Sequence, residues 1–161
     1  MNYNREAAIA YAREWALSRN PRFYDFEEVG GDCTNFASQC LYAGVGVMNF
    51  TPDTGWYYRS QSNRAAAWTS AEHFGRFMTT NEGRGPYGRF VPLYEAVKGD
   101  FIQLSFGDNI YSHTLIVLEA GDVPMPENIL IAAHTYDSLD RPLDTYFYKE
   151  LRTIHIEGVN P

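Results

Sequence analysis

Gly30-Gly31-Asp32-Cys33-Thr34-Asn35-Phe36-Ala37-Ser38-Gln39-Cys40 decides how the rest of the chain is read, because a cysteine stands where turn residues give way to a helix. The paired glycines permit left-handed backbone and Asp32 can cap the turn. Cys33, Phe36, Ala37, Cys40 and Leu41 then recur at i, i+3, i+4, i+7 and i+8. This spacing predicts an amphipathic helix with Cys33 in its first turn. Unpaired N–H groups and the positive end of the macrodipole favour a thiolate there, lowering its pKa from ~8.5 toward neutrality. Cys33 is therefore a candidate nucleophile, set against the plainer reading of a small buried hydrophobe on an apolar helix face. Cys40, mid-helix among Phe36, Ala37 and Leu41, takes the plainer reading. The two cannot form a disulfide, since seven residues of helix separate them by ~10 Å while the bond needs Cα atoms within ~7 Å.

A chain of 161 residues is long enough for one domain, 1–161, that buries roughly 70% of its unfolded surface. Hydrophobic residues at 45% and aromatics at 16% exclude disorder. Two cysteines supply no disulfide framework. The start, Met1-Asn2-Tyr3-Asn4-Arg5-Glu6, lacks the basic-then-apolar order of a signal peptide. No apolar run approaches the ~20 residues of a membrane span, so a soluble monomer with no membrane insertion is expected. A net charge of −7, from 20 acidic against 13 basic residues, argues against a nucleic-acid partner and against anionic membrane surfaces.

Residues 4 to 19 read as a helix with Ala8, Tyr11, Ala12 and Trp15 on one face and Asn20-Pro21 as its stop. Gly44-Val45-Gly46 should cap the cysteine helix. A loop from about 49 to 67 carries Gly55-Trp56-Tyr57-Tyr58, and loops of that length are often functional. Thr69-Ser70-Ala71-Glu72 has the form of a capping box for a helix running to Thr80, with His73 off its apolar face. From Gly99 the period becomes 2. Phe101 to Phe106, a Gly107-Asp108-Asn109 turn and Tyr111 to Leu118 predict a hairpin, and Ile129 to Thr135 and Arg152 to Glu157 predict a second strand pair. Helices first and antiparallel strands second give an α+β domain.

A cysteine nucleophile needs a base, and histidine serves near neutral pH. His73 and His155 fall on outward faces. His113 lies mid-strand on the side of Leu115 and Val117, and His134 ends the next strand. Neighbouring strands can bring these two together as a Cys–His–His relay, with the second histidine fixing the tautomer of the first. The alternatives are a hydrogen-bonded core histidine and a solvent-accessible strand end. Two histidines with Asp137 could also hold zinc, but no HExxH or comparable spacing appears, so neither metal nor cofactor is expected. Gly83-Arg84-Gly85-Pro86 opens no helix after a strand and is no phosphate cradle.

These residues carry a family resemblance. GGDCTNFASQCLYAG, preceded by AAIAYAREWALSRNPRFYDFEEVG and followed by GWYY, resembles the putative amidase domains of Gram-positive bacteria and their phages, from about Asn4 to Ile156. The strand start at Gly99, the strand Ser112 to Val117 and the strand end His134-Thr135 share in the likeness. The family is similar in turn to CHAP and NlpC-type cell-wall peptidases, which implies a papain-like core with the nucleophile helix packed on an antiparallel sheet. It implies Cys33 as nucleophile, His113 as base, His134 as orienter, and Asp32 and Ser112 as liners of the substrate site. Family members commonly carry Asp-His-Ser around the base; here the residues are Ser112-His113-Thr114, which removes the preceding carboxylate and moves the local pattern toward the NlpC type. The implied substrate is a peptidoglycan amide bond, cleaved through an acyl-enzyme by a phage lysin, an excised catalytic piece or an injected effector. Trp56, Tyr57, Tyr58 and Trp68 are candidate cleft walls. Acyl transfer to an amine or lipid, and a non-catalytic wall-binding module, are the alternatives.

Overall fold

The computed structural model describes residues 2–161. Helix α1 (Arg5–Trp15) starts at Asn4, whose side-chain oxygen accepts from the Ala7 N–H, and stops short of the predicted residue 19. It buries Ala8, Ile9 and Ala12 against α2 (Cys33–Val45). The two helices approach so closely at Gly44 that a Cβ there would lie 2.7 Å from the Asn4 carbonyl oxygen, which only glycine avoids. Gly46 ends α2 in the left-handed conformation, as the sequence predicts.

Amphipathicity is where α2 departs from expectation. Its polar residues Thr34, Asn35, Ser38 and Gln39 are as buried as its apolar ones, and each has a hydrogen-bonding partner. The helix is the centre of the molecule, and a polar face survives there because every group on it is satisfied. Ser38, for example, donates to the Trp68 carbonyl and accepts from Trp56 Nε1.

The predicted aromatic loop is built of small pieces: a bridge between Asn49 and Trp56, a hairpin of β1 (Tyr58–Ser60) and β2 (Asn63–Arg64), and the short α3 (Ala66–Thr69). Trp56 and Trp68 are fully buried with ring centroids 4.8 Å apart. Helix α4 (Ala71–Thr80) follows with Ser70 as its N-cap, and His73 is exposed.

Six antiparallel strands form the sheet: β3 (Gly85–Val91), β4 (Phe101–Ser105), β5 (Tyr111–Glu119), β6 (Leu130–Ala133), β7 (Ser138–Pro142) and β8 (Glu150–Asn160), in the order β3-β8-β4-β5-β6-β7. The class is α+β. The β4–β5 hairpin is the predicted one, with Leu104 opposite His113. The expected second pair is corrected: β6 runs between β5 and β7, while β8 lies between β3 and β4. Phe101, Ile116, Ala132 and Ile154 cover the helices, and Ile102, Leu104, Leu115, Val117 and Ile131 form a second core on the opposite face with Leu143. No helix among the described residues is long and apolar enough to cross a membrane.

Candidate active site

Two adjacent left-handed glycines, Gly30 (φ 89°) and Gly31 (φ 96°), turn the chain into α2 and set Cys33 at its start. The Cys33 side chain is 8% exposed and its Sγ lies 3.7 Å from the Ser112 carbonyl oxygen, against the peptide unit that leads into His113. The Thr34 and Thr114 hydroxyls meet at 2.9 Å and pin the first turn of α2 to β5. Asp32 makes no side-chain cap to this helix, so its first-turn N–H groups have no side-chain acceptor.

Burial pushes the Cys33 thiol above its ordinary value, opposed by the Thr114 N–H and the Thr34 hydroxyl. Burial, and after it the Arg141 charge, push His113 from 6.5 down to about 4. The thiolate expected from the helix terminus is thus corrected for the resting protein, where desolvation outweighs the dipole and both groups are neutral. Cys40 is fully buried and is driven well above the ordinary thiol range.

His113 leaves β5 toward Tyr146, with ring centroids 5.6 Å apart, and its ring makes no hydrogen bond to any described residue. With Ser112, Thr135, Arg141, Tyr146, Phe106, Tyr136 and Phe147 it lines a cavity of about 560 Å³. Phe147 and Tyr136 stand out at its rim, 97% and 86% exposed. Thr135 and Tyr136 both take positive φ, 59° and 61°, in the β6–β7 turn, an uncommon conformation for such side chains that aims Tyr136 into solvent.

His134 is placed elsewhere than the relay requires. Its Nδ1 meets Asp32 Oδ2 at 2.5 Å, its Nε2 meets the Trp15 carbonyl oxygen at 2.8 Å, and Phe36 stacks on its ring at 4.0 Å. With both nitrogens committed, it has none left to orient His113. Asp32 is likewise corrected as a substrate-site residue: it is fully buried and accepts from the Phe26 N–H and Asn35 Nδ2 as well as pairing with His134. Together the pair fixes the backbone just before Cys33, with Thr135 Oγ1 accepting from the Asp32 N–H.

Trp56 and Trp68 are core residues, and Tyr57 and Tyr58 pack on that core, so none of the four lines the His113 cavity. Ser112 does line it. Sequence reasoning missed Arg141, Tyr146 and Phe147. The aromatic run Tyr146-Phe147-Tyr148 in a polar loop was the signal available. Of possible metal ligands, Asp25, Glu27 and Asp32 converge within 4.8 Å, but Arg19 pairs with all three at 3.3, 3.3 and 3.6 Å and its guanidinium holds the place of a cation.

The family model for the putative amidase domain matches residues 2–157. The chain belongs to the putative amidase domain family. It is also 34% identical over 139 residues to the uncharacterized protein YhbB of Bacillus subtilis (strain 168), covering 84% of this chain and 42% of that protein. The chain thus spans about two fifths of that relative's length. No solved structure matches it.

Proposed function

We propose that this amidase-family domain is a cysteine hydrolase, papain-like in arrangement, that cleaves an amide bond of bacterial cell-wall peptidoglycan. The observation that carries the reading is Cys33 at an uncapped helix start, with Sγ against the carbonyl of Ser112, which precedes His113 and lines the cavity with it. Resemblance to cell-wall peptidases and the exposed aromatic rim, suited to stacking on sugar rings, support the cell-wall substrate.

The resting thiol and imidazole are both neutral, so the proton moves as the reaction begins. Substrate entering the cavity brings its carbonyl carbon to Sγ, the thiol proton passes to His113, and sulfur forms the new bond. The first-turn N–H groups of α2 stabilise the oxyanion, each typically worth about 3 kcal/mol. The C–N bond breaks as His113 protonates the leaving amine. Water, deprotonated by His113, then resolves the thioester to a carboxylate and restores the thiol. Asp32 and His134 are positioning residues that hold the Cys33 turn.

Mass spectrometry of purified peptidoglycan incubated with the protein tests this reading. New amine and carboxyl ends at one kind of amide bond are expected; intact walls would overturn it.

A further inference from the structure

Arg141 is a cation in the wall of the cavity that no acid of the described residues pairs with. Asp140, next to it in sequence, is committed to Arg13 at 3.0 Å. Arg141 is nonetheless held in place: Nε donates to Thr145 Oγ1 at 2.7 Å, Nη2 donates to the Thr145 carbonyl at 3.2 Å, and the guanidinium lies 3.6 Å over the Tyr146 ring. Its Nη1 has one weak contact, to Ser138 Oγ at 3.5 Å. Each terminal nitrogen keeps an N–H uncommitted, and two such groups on a fixed fork suit a carboxylate. The surrounding walls Phe106, Tyr136, Tyr146 and Phe147 are aromatic, so an anion there would have Arg141 as its counter-charge. His113 and Arg141 both face the Tyr146 ring, which sets them within about three residues' reach along a bound peptide.

We propose that Arg141 is a specificity-determining residue that grips a free carboxylate of the substrate beside the scissile amide, so that acidic peptide stems are taken and their amidated forms rejected. This rests on the amidase reading above and names the substrate class for the same cavity. The grip also serves the base. Burial is the main cause of the low His113 basicity and the Arg141 charge the lesser one, so pairing Arg141 with a substrate carboxylate removes that lesser part and makes the imidazole a better proton acceptor.

Two measurements on the whole protein test it. In the first, the His113 ring signals are followed by NMR as N-acetylalanine or N-acetylalaninamide, each in both configurations, is added. A saturable shift is expected with the acid, with none from the amide and none in folded Arg141→Gln. Equal shifts from acid and amide, an unchanged response in Arg141→Gln, or no shift from the acid at any accessible concentration would overturn the proposal. In the second, native walls are compared with walls whose carboxylates have been converted to amides. Wild type is expected to cut the amidated walls about 10-fold to 100-fold more slowly. Arg141→Gln should lose that preference and Arg141→Lys retain part of it, whereas a merely structural arginine would slow both walls alike. Failure to cut any wall would remove the cell-wall reading, while the NMR result would stand or fall separately.

Discussion

Asp32 and His134, 102 positions apart in sequence, form a fully buried pair directly behind the nucleophile, with Oδ2 and Nδ1 in contact at 2.5 Å. Removing one partner leaves a buried polar group of the other without its hydrogen bond, which typically costs about 1–3 kcal/mol. Asp32→Ala and His134→Ala should each lower unfolding stability by about that much, and the double variant by much less than the sum. Chemical denaturation of the three variants measures the coupling. Independent, additive losses would contradict the pairing.

His113 gives the stability a definite pH dependence. Folded, it binds a proton only near pH 4, while unfolded it does so at its ordinary 6.5. Between these values the unfolded chain holds more protons, so this contribution is complete above pH 6.5 and is lost as pH falls toward 4, by up to about 3 kcal/mol. In His113→Gln that part of the stability curve should flatten. An unchanged slope would mean that another group is responsible.

Trp56 is buried and donates Nε1–H to Ser38 Oγ. Trp56→Phe should therefore lower stability by about 1–3 kcal/mol and leave the KM for wall fragments unaltered. A raised KM at unchanged stability would return Trp56 to the cleft.

Much of this fold can be read from the chain because its local signals agree with its tertiary structure. Gly46 closes α2, Ser70 starts α4, and the Gly107-Asp108-Asn109 turn fixes the register that brings His113 opposite Leu104. Strand β7 stayed hidden because its hairpin turns through Thr135-Tyr136, side chains that do not advertise positive φ. Strand β3 contains Gly85, Pro86 and Gly88, which signal a loop; at Gly88 a Cβ would lie 2.1 Å from the His155 carbonyl oxygen, so pairing with β8 demands the glycine that disguises the strand. At the site, Cys33 and His113 stand out by residue type. His134 could not be placed from periodicity, because its partners Asp32 and Trp15 are brought to it only by tertiary packing.

Chelators should leave activity unchanged. The one convergence of carboxylates among the described residues is filled by Arg19, and the proposed reaction passes only through sulfur, imidazole and water. Loss of wall cleavage in EDTA, restored by zinc, would instead favour His113 as a metal ligand.

The most direct test of the central claim uses the two cysteines of α2 as each other's control. Cys33 touches the cavity strand at Ser112, whereas Cys40 is wholly enclosed in the core, so only the first should matter to chemistry. Release of peptidoglycan fragments, measured per folded molecule by mass spectrometry, should vanish in Cys33→Ala and stay close to wild type in Cys40→Ala, which loses only about 1 kcal/mol of stability. Fragment release by Cys33→Ala at the wild-type rate would contradict a cysteine mechanism.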